Sequence, residues 1–248
     1  MYHNRLIPCL LLKNHGLVKT IQFKNGRYLG DPINAVKIFN DREVDELFVL
    51  DIDATPKRKS PDYEYLRKIT QQCFMPAGYG GGITNIDDVK TLFEIGFEKI
   101  AVNTAAYTEP EIITKAANIF GSQSIVGVID VMSNQDSWDV YVNNGRERVS
   151  SDVQKYAKRL VELGVGELFI NSIDRDGMMN GFDLNLITSI SNEVGVPIVA
   201  CGGAGNLQDC ARAVEAGASA VAAGSMFVYW GRKRAVLINY PDSNEIIL

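Results

Sequence analysis

The sequence is poor in the residues that build metal sites and disulfide frameworks. Its 248 residues include four cysteines and two histidines. No two cysteines follow a C-x-x-C spacing, and four scattered thiols with two histidines form no recognisable ligand set. We therefore expect free thiols, as in a cytoplasmic protein, and neither a metal site nor a cofactor.

Long runs of one charge and long apolar runs are also missing. No basic run exceeds the three residues of Lys57–Lys59, and the net charge is −5, which argues against nucleic acid as the main partner. No apolar stretch approaches the roughly 18 residues of a membrane span, and no signal peptide is recognisable. The sequence therefore predicts a cytoplasmic protein that binds neither nucleic acid nor a membrane.

What the sequence does contain is an internal repeat. Residues 75–106 align without a gap with residues 196–227, at an offset of 121 positions. Each copy reads as strand, glycine turn, helix, strand and second glycine turn. The matched pairs include Pro76 with Pro197, Gly81 with Gly202, Gly82 with Gly203, Asn85 with Asn206, Asp88 with Asp209 and Thr104 with Ser225. An offset of about half the chain, with several βα units in each half, predicts a closed (βα)8 TIM barrel built from two half-barrels.

The rest of the pattern fits this barrel. The length is close to the ~250 residues typical of the fold, so we expect a single α/β domain over residues 1–248. The first strand is predicted at Arg5–Leu12, followed by a long loop over Lys13–Tyr28. Asn144-Gly145 predicts a β-hairpin in the loop after strand five, on the catalytic face. The short tail predicts a stunted eighth helix.

Polar residues at the ends of the predicted strands mark the candidate site. In such barrels the active site lies at the carboxyl ends of the strands. The residues expected there are Asp51, Asp53, Asn103, Asp130, Asn171, Asp174, Asp176 and Ser225. Asp130 ends the apolar strand 125–129, and a carboxylate in that position predicts a general acid or base. The alternative is a carboxylate that only hydrogen-bonds to its own loop.

Two sets of glycine turns suggest phosphate sites. Glycine lets the backbone approach a ligand, and the N–H groups at a helix start favour an anion. One predicted cradle contains Gly82, Asn103 and Thr104, and the other contains Gly203, Gly224 and Ser225. On opposite halves of one barrel mouth, they would suit an elongated ligand with a phosphate at each end. The alternative is a pair of ordinary βα turns.

Five motifs, in chain order, carry a resemblance to a known family. They are RLIPC (Arg5–Cys9), ELFVLDI (Glu46–Ile52), GGGI (Gly80–Ile83), DRDG (Asp174–Gly177) and GGAGN (Gly202–Asn206). Over about residues 1–228 the chain resembles the HisF family, the cyclase subunit of imidazole glycerol phosphate synthase. The HisA isomerases share the half-barrel repeat and are the nearest alternative.

The resemblance implies a partner and a path for ammonia. HisF members form a heterodimer with a HisH-type glutaminase, which docks on the amino-terminal face of the barrel. Ammonia then passes through the barrel to the carboxyl-end active site, where it reacts with a bis-phosphorylated ribotide in a lyase reaction. The family's ammonia gate matches Arg5, Glu46, Lys99 and Glu167, and its acidic docking position matches Glu98. Inward-pointing charges are expensive unless they are paired, so the matched set favours a gate over four unrelated surface charges.

The family's active-site positions are only partly filled. Asp130 matches one of its two acid/base aspartates, whereas the other falls on Leu11, which can neither take nor give a proton. Further catalytic positions match Lys19, Asp51 and Asp176, and Gly177 joins the expected phosphate-binding residues. The missing carboxylate predicts that the original cyclisation is lost.

Three functions are compatible with this pattern. The first is a HisF paralogue that channels ammonia to a third protein, as divergent HisF/HisH pairs do for a sugar amidotransferase in lipopolysaccharide and O-antigen biosynthesis. The second is an active cyclase of histidine biosynthesis, in which Asp51 or Asp176 replaces the missing carboxylate. The third is a non-catalytic subunit that only activates the glutaminase.

Overall fold

The computed structural model describes residues 4–135, 137–231, 233–242 and 245–246, and its centre is a closed barrel of eight parallel strands. The strands are β1 (Arg5–Lys13), β2 (Gly16–Ile21), β3 (Lys24–Gly30), β4 (Leu47–Asp51), β5 (Ala77–Gly80), β6 (Lys99–Val102), β7 (Ile125–Asn134), β8 (Ser137–Val142), β9 (Glu147–Ser150), β10 (Glu167–Ser172), β11 (Ile198–Cys201), β12 (Ala220–Ala223), β13 (Tyr229–Trp230) and β14 (Ala235–Val236). Around the barrel the order is β1, β4, β5, β6, β7, β10, β11 and β12, and β12 pairs with β1. The predicted (βα)8 barrel is confirmed.

Helices connect the barrel strands. They are α1 (Pro32–Asp41), α2 (Tyr63–Thr70), α3 (Ile86–Glu94), α4 (Thr104–Thr108), α5 (Glu111–Phe120), α6 (Val153–Leu163), α7 (Leu184–Ser191), α8 (Leu207–Glu215) and α9 (Ser225–Val228). Most of the longer helices begin after an aspartate or asparagine whose side chain accepts a backbone N–H of the first turn, as Asp31 and Asn206 do. Such caps satisfy N–H groups that the helix itself leaves without partners.

The internal repeat is visible in the element boundaries. β5, α3 and β6 begin and end 121 positions before β11, α8 and β12. The helices that follow, α4 and α9, begin at the matched residues Thr104 and Ser225. The half-barrel repeat inferred from the sequence is therefore present in the fold.

Two apolar clusters form the core. The larger lies between the strands and the surrounding helices. The smaller consists of Ile7, Cys9, Phe48, Ala101, Val126, Phe169, Val199, Ala220 and Ala222, with Leu50, Val128 and Cys201 packed against it. Because side chains alternate along a strand, the smaller set points to the opposite side of the strands, into the barrel. The barrel interior is thus filled with apolar side chains.

The predicted loop over Lys13–Tyr28 is wrong, because this segment contains strands β2 and β3. β2 pairs antiparallel with both β1 and β3. At the β2–β3 turn, Gln22 and Phe23 have φ angles of 52° and 60°. Two-residue hairpin turns with positive φ favour Asn-Gly or Gly-Gly, so Gln-Phe gives no turn signal in the sequence.

Strands outside the barrel extend its carboxyl-terminal side. β8 pairs antiparallel with β7 and with β9, and Asn143, Asn144 and Gly145 between β8 and β9 all have positive φ. The four-residue helix α9 is followed by the two-stranded ribbon of β13 and β14. Within the described residues, no helix is both long enough and apolar enough to cross a membrane.

The end of α1 yields a stability prediction. Glu43, just after the helix, is exposed, has a φ of 52° and donates its N–H to the carbonyl of Asn40 at 3.0 Å. Glycine adopts this conformation more readily, so Glu43→Gly should raise the free energy of unfolding by about 0.5–1 kcal/mol. As a control, Lys37→Gly on the exposed face of α1 should lower it by about 1 kcal/mol. Urea unfolding of both variants checks this, and a loss of stability in Glu43→Gly would contradict it.

Candidate functional site

A cavity opens at the carboxyl ends of the barrel strands. Its wall includes Leu11, Lys19, Asp51, Gly82, Asn103, Thr104, Asp130, Asp176, Gly177, Gly203, Gly224 and Ser225. The structure therefore brings all the predicted catalytic and phosphate-binding residues together. Two other predicted strand-end residues hold loops instead. Asp53 pairs with Lys57, and Asp174 accepts the backbone N–H of Ser133 at 2.6 Å.

Asp130 lies buried at the base of this cavity. On β7 it is in register with Asn171 of β10, and the side-chain amide of Asn103 donates to its Oδ2 at 3.2 Å. Burial raises the pKa of Asp130 to about 7, while a hydrogen bond with Asn171 opposes the shift. A carboxyl group that titrates near neutral pH can either donate or accept a proton.

Leu11 stands on the cavity wall at the position where the resemblance expects the second aspartate. On β1 it is in register with Val18 of β2 and Leu50 of β4. Leu11 and Leu50 both line the cavity and are apolar, so neither can exchange a proton.

Asp51 and Asp176, the carboxylates that could replace the missing one, each hold a loop. Asp51 Oδ1 accepts the N–H groups two and three residues further on, at 2.9 and 3.0 Å. Asp176 Oδ2 accepts the Thr20 hydroxyl at 2.6 Å and the Phe23 N–H at 3.2 Å. Burial raises the pKa of both carboxyls, and these hydrogen bonds lower it in part. One oxygen of each carboxylate therefore already has structural partners.

Lys19 lies buried against the second predicted cradle. Its Nζ donates to the carbonyl oxygen of Cys9 at 2.5 Å. A side chain on Gly224 would overlap this ammonium group, so the glycine leaves room for Lys19. Burial lowers the pKa of Lys19, and nearby acidic groups, including Asp176, oppose the shift. The structure thus places a cationic side chain beside Gly224.

Contacts with neighbouring loops explain why glycine is required at the predicted cradle positions. Gly82, Gly177 and Gly203 have φ angles of +69°, +71° and +114°. A Cβ on Gly82 would lie 2.6 Å from the carbonyl oxygen of Lys59, and one on Gly203 would overlap the carbonyl of Gly181. Because backbone contacts already require glycine here, the glycines alone do not identify a phosphate site. Phosphate binding remains a prediction.

A closed ring of four charges lies at the other end of the barrel. Arg5 contacts Glu46 and Glu167, and Lys99 Nζ lies 2.9 and 2.8 Å from the carboxylates of the same two residues. The two glutamates are almost fully buried. Each carboxylate meets two cations, which offsets the unfavourable burial of charge. The neighbouring Glu98 is exposed on the same face.

Two turns outside the barrel line the cavity, and sequence reasoning missed the first of them. Phe23 at the β2–β3 turn and Asn144 at the β8–β9 turn both line it. Thr104 Oγ1 accepts the N–H of Asn143 at 3.0 Å, which fixes the second turn to the barrel. Asn144-Gly145 is the signal from which the second turn was predicted, whereas nothing in the sequence shows that the β2–β3 turn folds over the site.

The buried Asp130 predicts a pH dependence of stability. Between the usual carboxyl pKa of 3.8 and the raised pKa of about 7, the folded state retains a proton that the unfolded state releases. The contribution of Asp130 to the free energy of unfolding should therefore fall as pH rises through this window. Urea unfolding of the native protein and Asp130→Asn across the window measures the difference. A difference independent of pH would contradict the raised pKa.

Comparisons with known proteins agree with the motifs. The family model described as histidine biosynthesis protein matches residues 5–232. A Pseudomonas aeruginosa protein provisionally named imidazole glycerol phosphate synthase subunit hisF2 is 48% identical over 250 residues, or 99% of each chain. A Vibrio vulnificus protein provisionally named subunit hisF3 of the same synthase is 43% identical, over 99% of this chain and 95% of the relative. The Exiguobacterium sibiricum imidazole glycerol phosphate synthase subunit HisF is 38% identical, over 92% and 91%.

These matches extend over nearly the whole barrel rather than over isolated motifs. They include both the strand starts that carry the charge ring and the strand ends that form the cavity. The chain therefore belongs to the histidine biosynthesis protein family and, within it, to the HisF family.

Proposed function

We propose that this chain is the ammonia-conducting subunit of a glutamine amidotransferase complex. It receives ammonia from a HisH-type glutaminase at the amino-terminal face and passes it through the barrel to a sugar amidotransferase of lipopolysaccharide or O-antigen biosynthesis. The observation that carries this proposal is Leu11 on the cavity wall, where a cyclase needs a proton-exchanging group.

The hydrogen bonds of the two carboxylates that could replace the missing one support this assignment. Asp51 and Asp176 each accept two hydrogen bonds from the loops that they hold. These contacts give one oxygen of each carboxylate a structural role. Burial raises the pKa of Asp130 to about 7, and ring closure requires both an acid and a base.

The two ends of the barrel support a conduit. The charge ring closes the amino-terminal end, and the apolar cluster inside the barrel lies between the ring and the cavity. An apolar passage favours neutral ammonia over ammonium, because burying an unpaired charge is strongly unfavourable. The exposed Glu98 beside the ring is a candidate contact for the glutaminase. The numbered names hisF2 and hisF3 of two relatives are compatible with a paralogue.

The second candidate function is an active cyclase of histidine biosynthesis. The cavity keeps Asp130, Lys19 and both predicted phosphate cradles, which suit a bis-phosphorylated ribotide. A third candidate is a non-catalytic activator of the glutaminase, in which the barrel transfers nothing.

The missing carboxylate can be tested directly. The native protein should not consume the bis-phosphorylated ribotide with an ammonium salt, and Leu11→Asp should gain activity. Because general acid–base catalysis contributes about 10²–10⁴-fold, the variant's rate should exceed the native rate by about 100-fold or more. Leu11→Asn, of similar size but without a carboxylate, is the matched control. Turnover by the native protein would contradict the conduit assignment and support the cyclase.

The conduit itself can be tested at the charge ring. In a complex with the glutaminase and the acceptor enzyme, Lys99→Met should leave glutamine hydrolysis running but reduce the transfer of ¹⁵N from labelled glutamine to the product. The exposed Lys90→Met on α3 is the matched control and should transfer normally. Equal transfer in both variants would show that the barrel is not the path. That result would favour the third candidate, a subunit that only activates the glutaminase.

A further inference from the structure

The residues directly above the charge ring form a distinct layer. Side chains alternate along a strand, so the residues two positions after the four ring members point to the same side. These residues are Ile7, Phe48, Ala101 and Phe169, and all four belong to the apolar cluster inside the barrel. A passage from the ring to the cavity must cross this layer.

Two aromatic rings meet in this layer from opposite sides of the barrel. Phe48 is on β4 and Phe169 is on β10, which are four strands apart in either direction around the barrel. Their ring centroids are nevertheless only 5.4 Å apart, with planes inclined at 60°. Side chains on opposite walls can touch only across the barrel axis. Phe48 is fully buried, whereas Phe169 also lines the cavity and forms part of its floor.

Gly78 provides the space in which Phe48 sits. It is in register with Phe48 on the neighbouring strand β5. A Cβ on Gly78 would overlap the Phe48 ring and lie 2.7 Å from Cζ. The backbone of Gly78 is not among those with positive φ, so conformation does not demand glycine here. What the glycine provides is room for the ring.

We propose that Phe48 and Phe169 form an aromatic valve in the barrel, seated by Gly78, which admits only small uncharged molecules. The inference rests on the conduit function proposed above and specifies what that conduit transmits. In the structure the two phenyl groups lie between the charge ring and the cavity. Ammonia passes when a ring rotates, since packed side chains still change rotamer. An apolar constriction excludes ammonium and, like other apolar cavities, stays free of water.

The valve and the conduit are tested in one assay of the full complex with glutaminase and acceptor enzyme. The assay supplies ¹⁵N-glutamine and unlabelled ammonium chloride, and mass spectrometry gives the ¹⁵N fraction of the product. Gly78→Ala pushes the Phe48 ring towards the axis and should lower the glutamine-dependent rate by about tenfold, since overpacking restricts the ring. Phe169→Leu opens the constriction and should lower the ¹⁵N fraction, because unlabelled ammonium from the solution, which the native constriction excludes, can then cross it.

A double variant tests whether the effect of Gly78→Ala acts through the Phe48 side chain. Phe48→Leu combined with Gly78→Ala removes the overlap and should restore the glutamine-dependent rate. Normal rates and normal ¹⁵N fractions in Gly78→Ala and Phe169→Leu would overturn the valve, while loss of transfer in Lys99→Met would still support the conduit. Normal transfer in all of these variants would overturn both. If Gly78→Ala does not fold, Phe169→Leu and the double variant decide the question.

Discussion

The constraint on which the rest of the structure depends is the pairing of two buried glutamates with two partly buried cations at the barrel's amino-terminal end. Arg5, Lys99, Glu46 and Glu167 neutralise one another where isolated charges would be strongly unfavourable. Because each ring member lies at or next to a strand start, the alternation of side chains then fixes which residues face the interior above it. The apolar layer and the aromatic pair follow from this register. The charge ring thus lies at the start of the proposed path through the barrel.

The polar side chains at the carboxyl-terminal end of the barrel have a different role from those of the charge ring. There the polar side chains mostly hold loops, as Asp176 does for the β2–β3 turn and Thr104 for the β8–β9 turn. Close backbone approaches require the cradle glycines. At this end of the barrel, burial raises the pKa of Asp130 to about 7. This arrangement is compatible with the proposed delivery of ammonia.

The sequence was sufficient to predict the barrel, because an ungapped repeat constrains fold and register together. It also predicted which residues meet at the mouth, since strand ends of a parallel barrel lie on one face. The β2–β3 hairpin escaped prediction because Gln22-Phe23 is an unfavourable pair for its turn. The hydrogen bonds of Asp176 were not predicted either, because its partners lie on that hairpin. The meeting of Phe48 and Phe169 requires the three-dimensional register, since the two are far apart in sequence.

The central claim is that this barrel no longer catalyses the reaction of ammonia with the bis-phosphorylated ribotide. The most direct measurement supplies the native chain and its glutaminase with ¹⁵N-glutamine and the bis-phosphorylated ribotide, in the absence of any acceptor enzyme. Mass spectrometry then follows the label. Our account predicts that the ¹⁵N appears only as free ammonium while the ribotide remains unchanged. Label in an imidazole product would contradict it and would show that the chain still closes the ring itself.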